Sequence, residues 1–163
     1  ATGPYQGHLQ RPSDHKAPKK IAWLQCIGSR DVHHCDHGYC SSVCCMVAIK
    51  HVLLSKEHDP DLEAHVFHND IRAYGKGFDA YYERAKSEYG VRFIKSMVSK
   101  VREKHGTGNL LVTFLNEEGK ASEEEFDLVV LSLGMTPSQS VRDMAARLGV
   151  RSGIATEADW PRC

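Results

Sequence analysis

A short, largely apolar run at residues 21–27, IAWLQCI, stops at Gly28-Ser29 and constrains the chain more than any other stretch. It has the pattern of a strand buried on both faces, which needs covering layers on either side. The polar loop SRDVHHCDHGY leads from it to a helix that Ser41 or Ser42 would cap, running to about Lys56. Val43, Met46, Val47, Ile49, Val52 and Leu53 would cover most of that helix's circumference and pack it deeply. EAHVFHND reads as a second strand. FDAYYERAKSEYG reads as an amphipathic helix with Phe78, Tyr81, Tyr82 and Ala85 on one face and Gly90 as its stop. VRFIKSMVSKV then reads as one third strand. NLLVTFL, a turn at Glu118-Gly119 and SEEEFDLVVLSLG carry hairpin spacing, a β meander returning to a last buried strand at residues 128–133.

This order, β-α-β-α-β and then a β meander, demands right-handed parallel crossovers with helices on the faces of the sheet. The predicted fold class is α/β, a Rossmann-like nucleotide-binding half-unit. Residues 1–19 read as an extended arm, 20–137 as the Rossmann-like domain with a cysteine-rich insertion, and 138–163 as a short helix and an irregular tail. Fold class alone fixes no function.

Composition narrows the function classes. The 163 residues, 41% hydrophobic, suit one domain, and 21 basic against 21 acidic side chains leave no electrostatic footprint for nucleic acid or an anionic lipid surface. No apolar stretch is long enough to span a membrane, and the first thirty positions lack the pattern of a secretory signal, so a cytoplasmic location is expected. The chain begins at Ala1 without a methionine, which suggests a fragment of something longer.

Five of the six cysteines fall between Cys26 and Cys45, unlike the spread of a disulfide framework. The pattern Cys26-x13-Cys40-x3-Cys44-Cys45 starts at the end of the first strand and finishes in the first turns of the next helix. If helical, Cys40, Cys44 and Cys45 would project into one sector at the helix's amino end, and Cys26 would face them from the sheet. The helix dipole there should favour thiolate over thiol. Four thiolates suit a [4Fe-4S] cluster or a zinc ion. His33, His34, Cys35 and His37 supply further zinc ligands, but the usual C-x2-C pairs are missing, and the adjacent Cys44 and Cys45 favour a cluster. Inert buried thiols and a loop disulfide are the other readings.

The same stretch is where a dinucleotide-binding unit would carry G-x-G-x-x-G, and only Gly28 and Gly38 are present. Poor nicotinamide dinucleotide binding is expected. Asp70 stands where an acid would meet a ribose hydroxyl, although a turn aspartate is the simpler reading. Arg72, Lys76 and Lys95 read as ordinary surface bases, and Tyr74, Tyr81, Tyr82 and Tyr89 as core and rim.

KKIAWLQCIGSRD, GYCSSVCCMVAIK, SKEHDPDLEAHVFHNDIRAYGKGFDAYYERAKSEYGVRFIKSMVSKV and EEEFDLVVLSLGMTPS, taken together and in order, resemble the A subunit of heterodisulfide reductase. The resemblance runs from about Gly3 to Gly149. It implies the nicotinamide-domain equivalent of a thioredoxin-reductase-like flavoprotein module, with Cys26, Cys40, Cys44 and Cys45 ligating a [4Fe-4S] cluster and no catalytic residue of its own. It further implies FAD in the parent protein, the B and C subunits of heterodisulfide reductase and hydrogenase or ferredoxin-like donors as partners, and an anaerobic owner. The amino-terminal flavin fingerprint, the carboxyl-terminal flavin segment and the ferredoxin-type cysteine runs are absent, so this piece alone is not expected to bind FAD fully or to be catalytically complete. The tail GIATEADWPRC leaves the pattern, and Cys35 matches no ligand. The expectation is an electron-transfer domain; a pyridine-nucleotide domain of a disulfide oxidoreductase and a zinc-stabilised interaction module are the alternatives.

Overall fold

The computed structural model describes residues 5, 8–33 and 37–150. The elements run β1 (Lys20–Ile27), α1 (Cys44–His58), β2 (Glu63–His68), α2 (Phe78–Ser87), β3 (Arg92–Lys95), β4 (Val98–Glu103), β5 (Leu110–Leu115), β6 (Ala121–Phe126), β7 (Leu128–Leu133) and α3 (Gln139–Arg147). Four of the strands form a parallel sheet in the order β3-β2-β1-β7. The other three form an antiparallel sheet in the order β4-β5-β6. A parallel sheet that grows outward in one direction and then resumes on the far side of its first strand is the nucleotide-binding half-unit the element order predicts.

Side chains of a strand alternate between faces, and β1 uses both. Ile21 and Trp23 pack with Ala48, Ile49, Val52 and Leu53 of α1 and with Ala85 of α2. Ala22 and Leu24 pack on the opposite face with Phe67, Val112, Phe114 and Phe126. Both helices therefore lie on one side of the parallel sheet, and the antiparallel sheet covers the other. This differs from helices on both faces, for a topological reason. Two same-handed crossovers that advance in the same direction, β1 to β2 to β3, must place their helices on the same side.

Three further expectations change. VRFIKSMVSKV is two strands: the chain breaks at Ser96-Met97 and leaves the parallel sheet for the antiparallel one. Residues 128–133 form a half-exposed edge, with Leu131 52% and Leu133 64% exposed, because β7 pairs with β1 along one side. Helix α1 buries one face, through Cys45, Ala48, Ile49, Val52 and Leu53, while Val43 and Val47 face outward.

Asp127 pins the returning chain. Its Oδ2 accepts the backbone N–H groups of Lys19 at 2.7 Å and Lys20 at 2.9 Å, which sets β6 and β7 against the start of β1. Before β1, the Arg11 guanidinium donates to Asn109 Oδ1 at 2.8 Å. No helix among the described residues is long and apolar enough to cross a membrane.

A candidate iron-sulfur site at the switch point of the sheet

The carboxyl ends of β1, β2 and β7 open onto the place where the strand order reverses, between β1 and β7. In open α/β sheets this crevice is where ligands bind. The pairing of β1 with β7 slips between Leu24 and Ile27, and Cys26 sits in that irregularity with a left-handed φ of 64°. The carbonyl of Cys26 accepts from Ser29 N at 3.1 Å, turning the chain out of the strand. The carbonyl of Ile27 accepts from Gly134 N at 2.7 Å, closing β1 on the end of β7.

From Ser29 the polar loop folds back on itself. Asp31 and His37 exchange two backbone hydrogen bonds of 3.0 Å, and Arg30 N donates to Tyr39 O at 3.1 Å. This hairpin carries Cys40 back toward Cys26. Ser41 then acts as a rivet. Its hydroxyl lies 2.8 Å from that of Ser29 and accepts from Met135 N at 2.9 Å, so it bridges the ends of β1 and β7. Ser41 does not cap the helix, and neither does Ser42, whose φ is 67°. Helix α1 starts at Cys44 after Val43, with no side-chain cap, and Cys40 belongs to the loop ahead of it. Cys40 and Cys44 thus reach the site from different elements. The expected single helical sector gives way to three separate elements, a loop, a helix start and a strand end.

Cys44 Sγ contacts Leu133 O at 3.9 Å, and Cys45 Sγ contacts Asp70 O at 3.8 Å, against the ends of β7 and β2 respectively. Cys40 Sγ accepts from Ser42 N at 3.3 Å. The other three sulfurs all lie within electrostatic reach of Cys45. All four are free thiols, with Cys45 buried and the others half-buried. Among the described residues, no three His, Cys, Asp or Glu side chains form the close grouping that holds a single metal ion.

The charge balance departs from the dipole-favoured thiolates expected from sequence. Burial pushes the Cys45 and Cys26 thiols up, and neighbouring sulfurs push them further. The Arg30 guanidinium works the other way on Cys26. Burial disfavours the charged form of the Cys26 and Cys45 thiols, a cost that bound positive charge at these two sulfurs would relieve, and sulfur donors are of the kind that suits a thiophilic metal centre. Arg30 escaped the sequence reading because one arginine in a polar loop carries no spacing signal. Asp70 did not escape it, but it faces Arg30 and Arg72, whose attraction overcomes burial and holds its carboxyl below the ordinary range. His33 and His37 lie on the hairpin, apart from the sulfurs' contacts above, and His34, Cys35 and Cys163 lie outside the described residues.

Comparison with known proteins matches this cysteine-bearing region. The chain is 46% identical over 144 residues to the second CoB–CoM heterodisulfide reductase iron-sulfur A subunit of Methanopyrus kandleri, covering 86% of this chain and 21% of that protein. The chain is homologous to a segment of the heterodisulfide reductase A subunit. The A subunit of the H2/formate:CoB–CoM heterodisulfide, ferredoxin reductase of Methanococcus maripaludis is 43% identical over 152 residues, 93% of this chain and 23% of that one. A protein of Archaeoglobus profundus described as like the heterodisulfide reductase A subunit is 35% identical over 173 residues, 94% of this chain and 24% of its own. The chain thus spans less than a quarter of the length of these relatives. No protein-family model matches it. Among solved structures, LpdA of Mycobacterium tuberculosis aligns over 77% of this chain and 23% of its own, at a TM-score of 0.48 and 14% identity.

Proposed function

We propose that this segment of the heterodisulfide reductase A subunit is an electron-transfer domain in which Cys26, Cys40, Cys44 and Cys45 hold a [4Fe-4S] cluster. What supports the reading is that Cys26, Cys40 and Cys44 all lie within electrostatic reach of the buried Cys45, beside the sheet's switch point, where a dinucleotide's phosphates would otherwise meet glycines and a helix start. The name of the M. kandleri relative, which includes the words iron-sulfur, supports it. Such a cluster would take up and release one electron at a time.

The protein's own residues would supply geometry and polarity. The bulge at Cys26, the hairpin under Cys40 and the start of α1 under Cys44 and Cys45 fix four sulfurs from three elements. The ends of β2 and β7 wall the site through Asp70 and Leu133. No general acid, base or nucleophile is needed. In the longer protein the electron would pass to or from FAD, with the B and C subunits and a hydrogenase or ferredoxin-like donor in a cytoplasmic assembly. The names of the relatives, with H2, formate and ferredoxin in them, support donors of that class.

The test is metal analysis after strictly anaerobic purification. The expected result is a brown protein with about four irons and four sulfides per chain. Cys44→Ser and Cys45→Ser should lose iron far more than Cys35→Ser. A colourless protein with stoichiometric zinc, or a metal-free one that binds NADH, would overturn the reading, and so would equal iron loss in all three variants.

A further inference from the structure

A groove of about 710 Å3 lies between α1 and the turn that leads into α2, and none of the four cysteines lines it. Val43, Met46, Val47 and Lys50 form one side, at the three- and four-residue spacing of a single helix face. Tyr74, Lys76, Phe78 and Tyr81 form the other. Met46 and Tyr81 are anchored on the core, whereas Val43, Val47, Tyr74 and Phe78 are exposed. The aromatic wall is built into the turn. Phe78 N donates to Gly75 O at 3.0 Å, and the Phe78 ring lies so close over Gly75 that a Cβ there would stand 2.6 Å from two ring carbons. Only a residue without a Cβ admits the ring at that place. Two cations belong to the same lining. Lys50 and Lys76 are exposed, and neither has an ion pair or hydrogen bond among the described residues. No acidic side chain among the described residues lines the groove.

We propose that this groove binds a small aromatic anion, a ring system carrying a carboxylate, sulfonate or phosphate, with Phe78 and Tyr81 receiving the rings and Lys50 and Lys76 meeting the charge. Small-molecule sites take roughly 300–1,000 Å3 and set a few polar groups in a mostly apolar lining, as this groove does. Three aromatic side chains on one wall offer faces and edges to another ring. Ammonium groups without acidic partners, in a lining without carboxylates, favour a negative charge on the molecule that enters. The proposal is independent of what the cysteines hold.

The experiment is a calorimetric titration of the whole chain, purified anaerobically, with 8-anilinonaphthalene-1-sulfonate, an aromatic anion. Wild type should bind one molecule per chain and weaken as salt rises from about 50 to about 500 mM. The double variant Lys50→Gln, Lys76→Gln should bind roughly tenfold more weakly, two exposed ion pairs contributing about threefold each, and should lose most of the salt dependence. Phe78→Ala should bind more weakly still. Met144→Ala, which alters the exposed apolar face of α3, should bind as wild type does. Equal affinity in wild type and the lysine variant overturns the proposal, and so does a loss in Met144→Ala as large as that in Phe78→Ala. Should Phe78→Ala fail to fold, the lysine comparison decides alone. A wild-type chain that shows no saturable binding also overturns it and leaves the groove to a protein segment.

Discussion

Replacing Gly134 with alanine probes how tightly the sulfur-bearing turn is pressed against the end of β7. A Cβ on Gly134 would stand 2.5 Å from the carbonyl oxygen of Gly28 and 3.0 Å from its carbonyl carbon, and still closer to the Ser29 hydroxyl. Ordinary contact begins at 3.4 Å, so the turn or the strand must retreat by roughly an ångström. The Ser29 hydroxyl has little room to swing aside, being buried and bound to that of Ser41 at 2.8 Å. The Gly28 carbonyl is backbone, and any shift of it pulls on Ile27, whose carbonyl already binds Gly134 N. Overpacking of this kind costs about 1–3 kcal/mol. At roughly 2–4 °C per kcal/mol for a domain of this size, Tm should fall by roughly 2–12 °C. Thermal unfolding by circular dichroism measures it, with iron content as a second readout because Cys26 belongs to the displaced turn. Ser29→Ala in the Gly134→Ala background should restore only part of the loss, since the carbonyl contact remains. A Gly134→Ala protein melting within about 1 °C of wild type would refute the close approach.

Asp127→Ala leaves the backbone donors of Lys19 and Lys20 without their acceptor and should cost about 1–3 kcal/mol, read as a lowered urea midpoint at unchanged slope. Acidification should destabilise the junction of the two sheets. Burial holds the pKa of His65 below its usual 6.5, with Lys20 and Arg92 adding to the effect and Glu124 opposing it. The unfolded chain therefore takes up this proton first, and stability falls as the pH drops through about 6.5 toward the lower folded value. Glu124, despite burial, is held below its usual 4.5 by Lys20 and His65, so its contribution is present above that value and is lost as the pH falls further. Urea melts between about pH 7.5 and pH 5.5 should show a shallower decline in His65→Gln than in wild type; parallel declines would clear His65 of the effect.

The parallel core was legible because burial on both faces writes a continuous apolar run, as in IAWLQCI, and a return to the sheet writes another, LVVLSL. The helices followed from periodicity, and Gly90, with its φ of 61°, closes the segment after α2 as a left-handed stop. What the pattern could not carry was a change of partner. In VRFIKSMVSKV the apolar residues continue across Ser96-Met97 although the strand changes sheets, because either sheet's inner face accepts the same side chains. The cysteine set was visible by spacing, whereas its arrangement was not. A bulge at Cys26 and left-handed backbones at Arg30 and Ser42 have no glycine or asparagine to announce them. The serines that resembled helix caps serve the strand ends instead, Ser41 through Ser29 and Met135. Arg30 and Asp70 are 40 residues apart, and nothing local in the sequence ties them.

That same wide separation governs the far wall of the crevice. The carbonyl that meets Cys44 comes from Leu133, 89 residues later, and the amide that meets Ser41 comes from Met135, 94 residues later. All four thiols therefore precede β7 in the chain, and β7 returns to the parallel sheet only after the whole antiparallel sheet has been traversed. Closing so long a loop is slow and entropically opposed. Until β7 docks, the segment that bears the sulfurs lacks the Leu133 carbonyl and the Met135 amide that meet Cys44 and Ser41 in the folded domain.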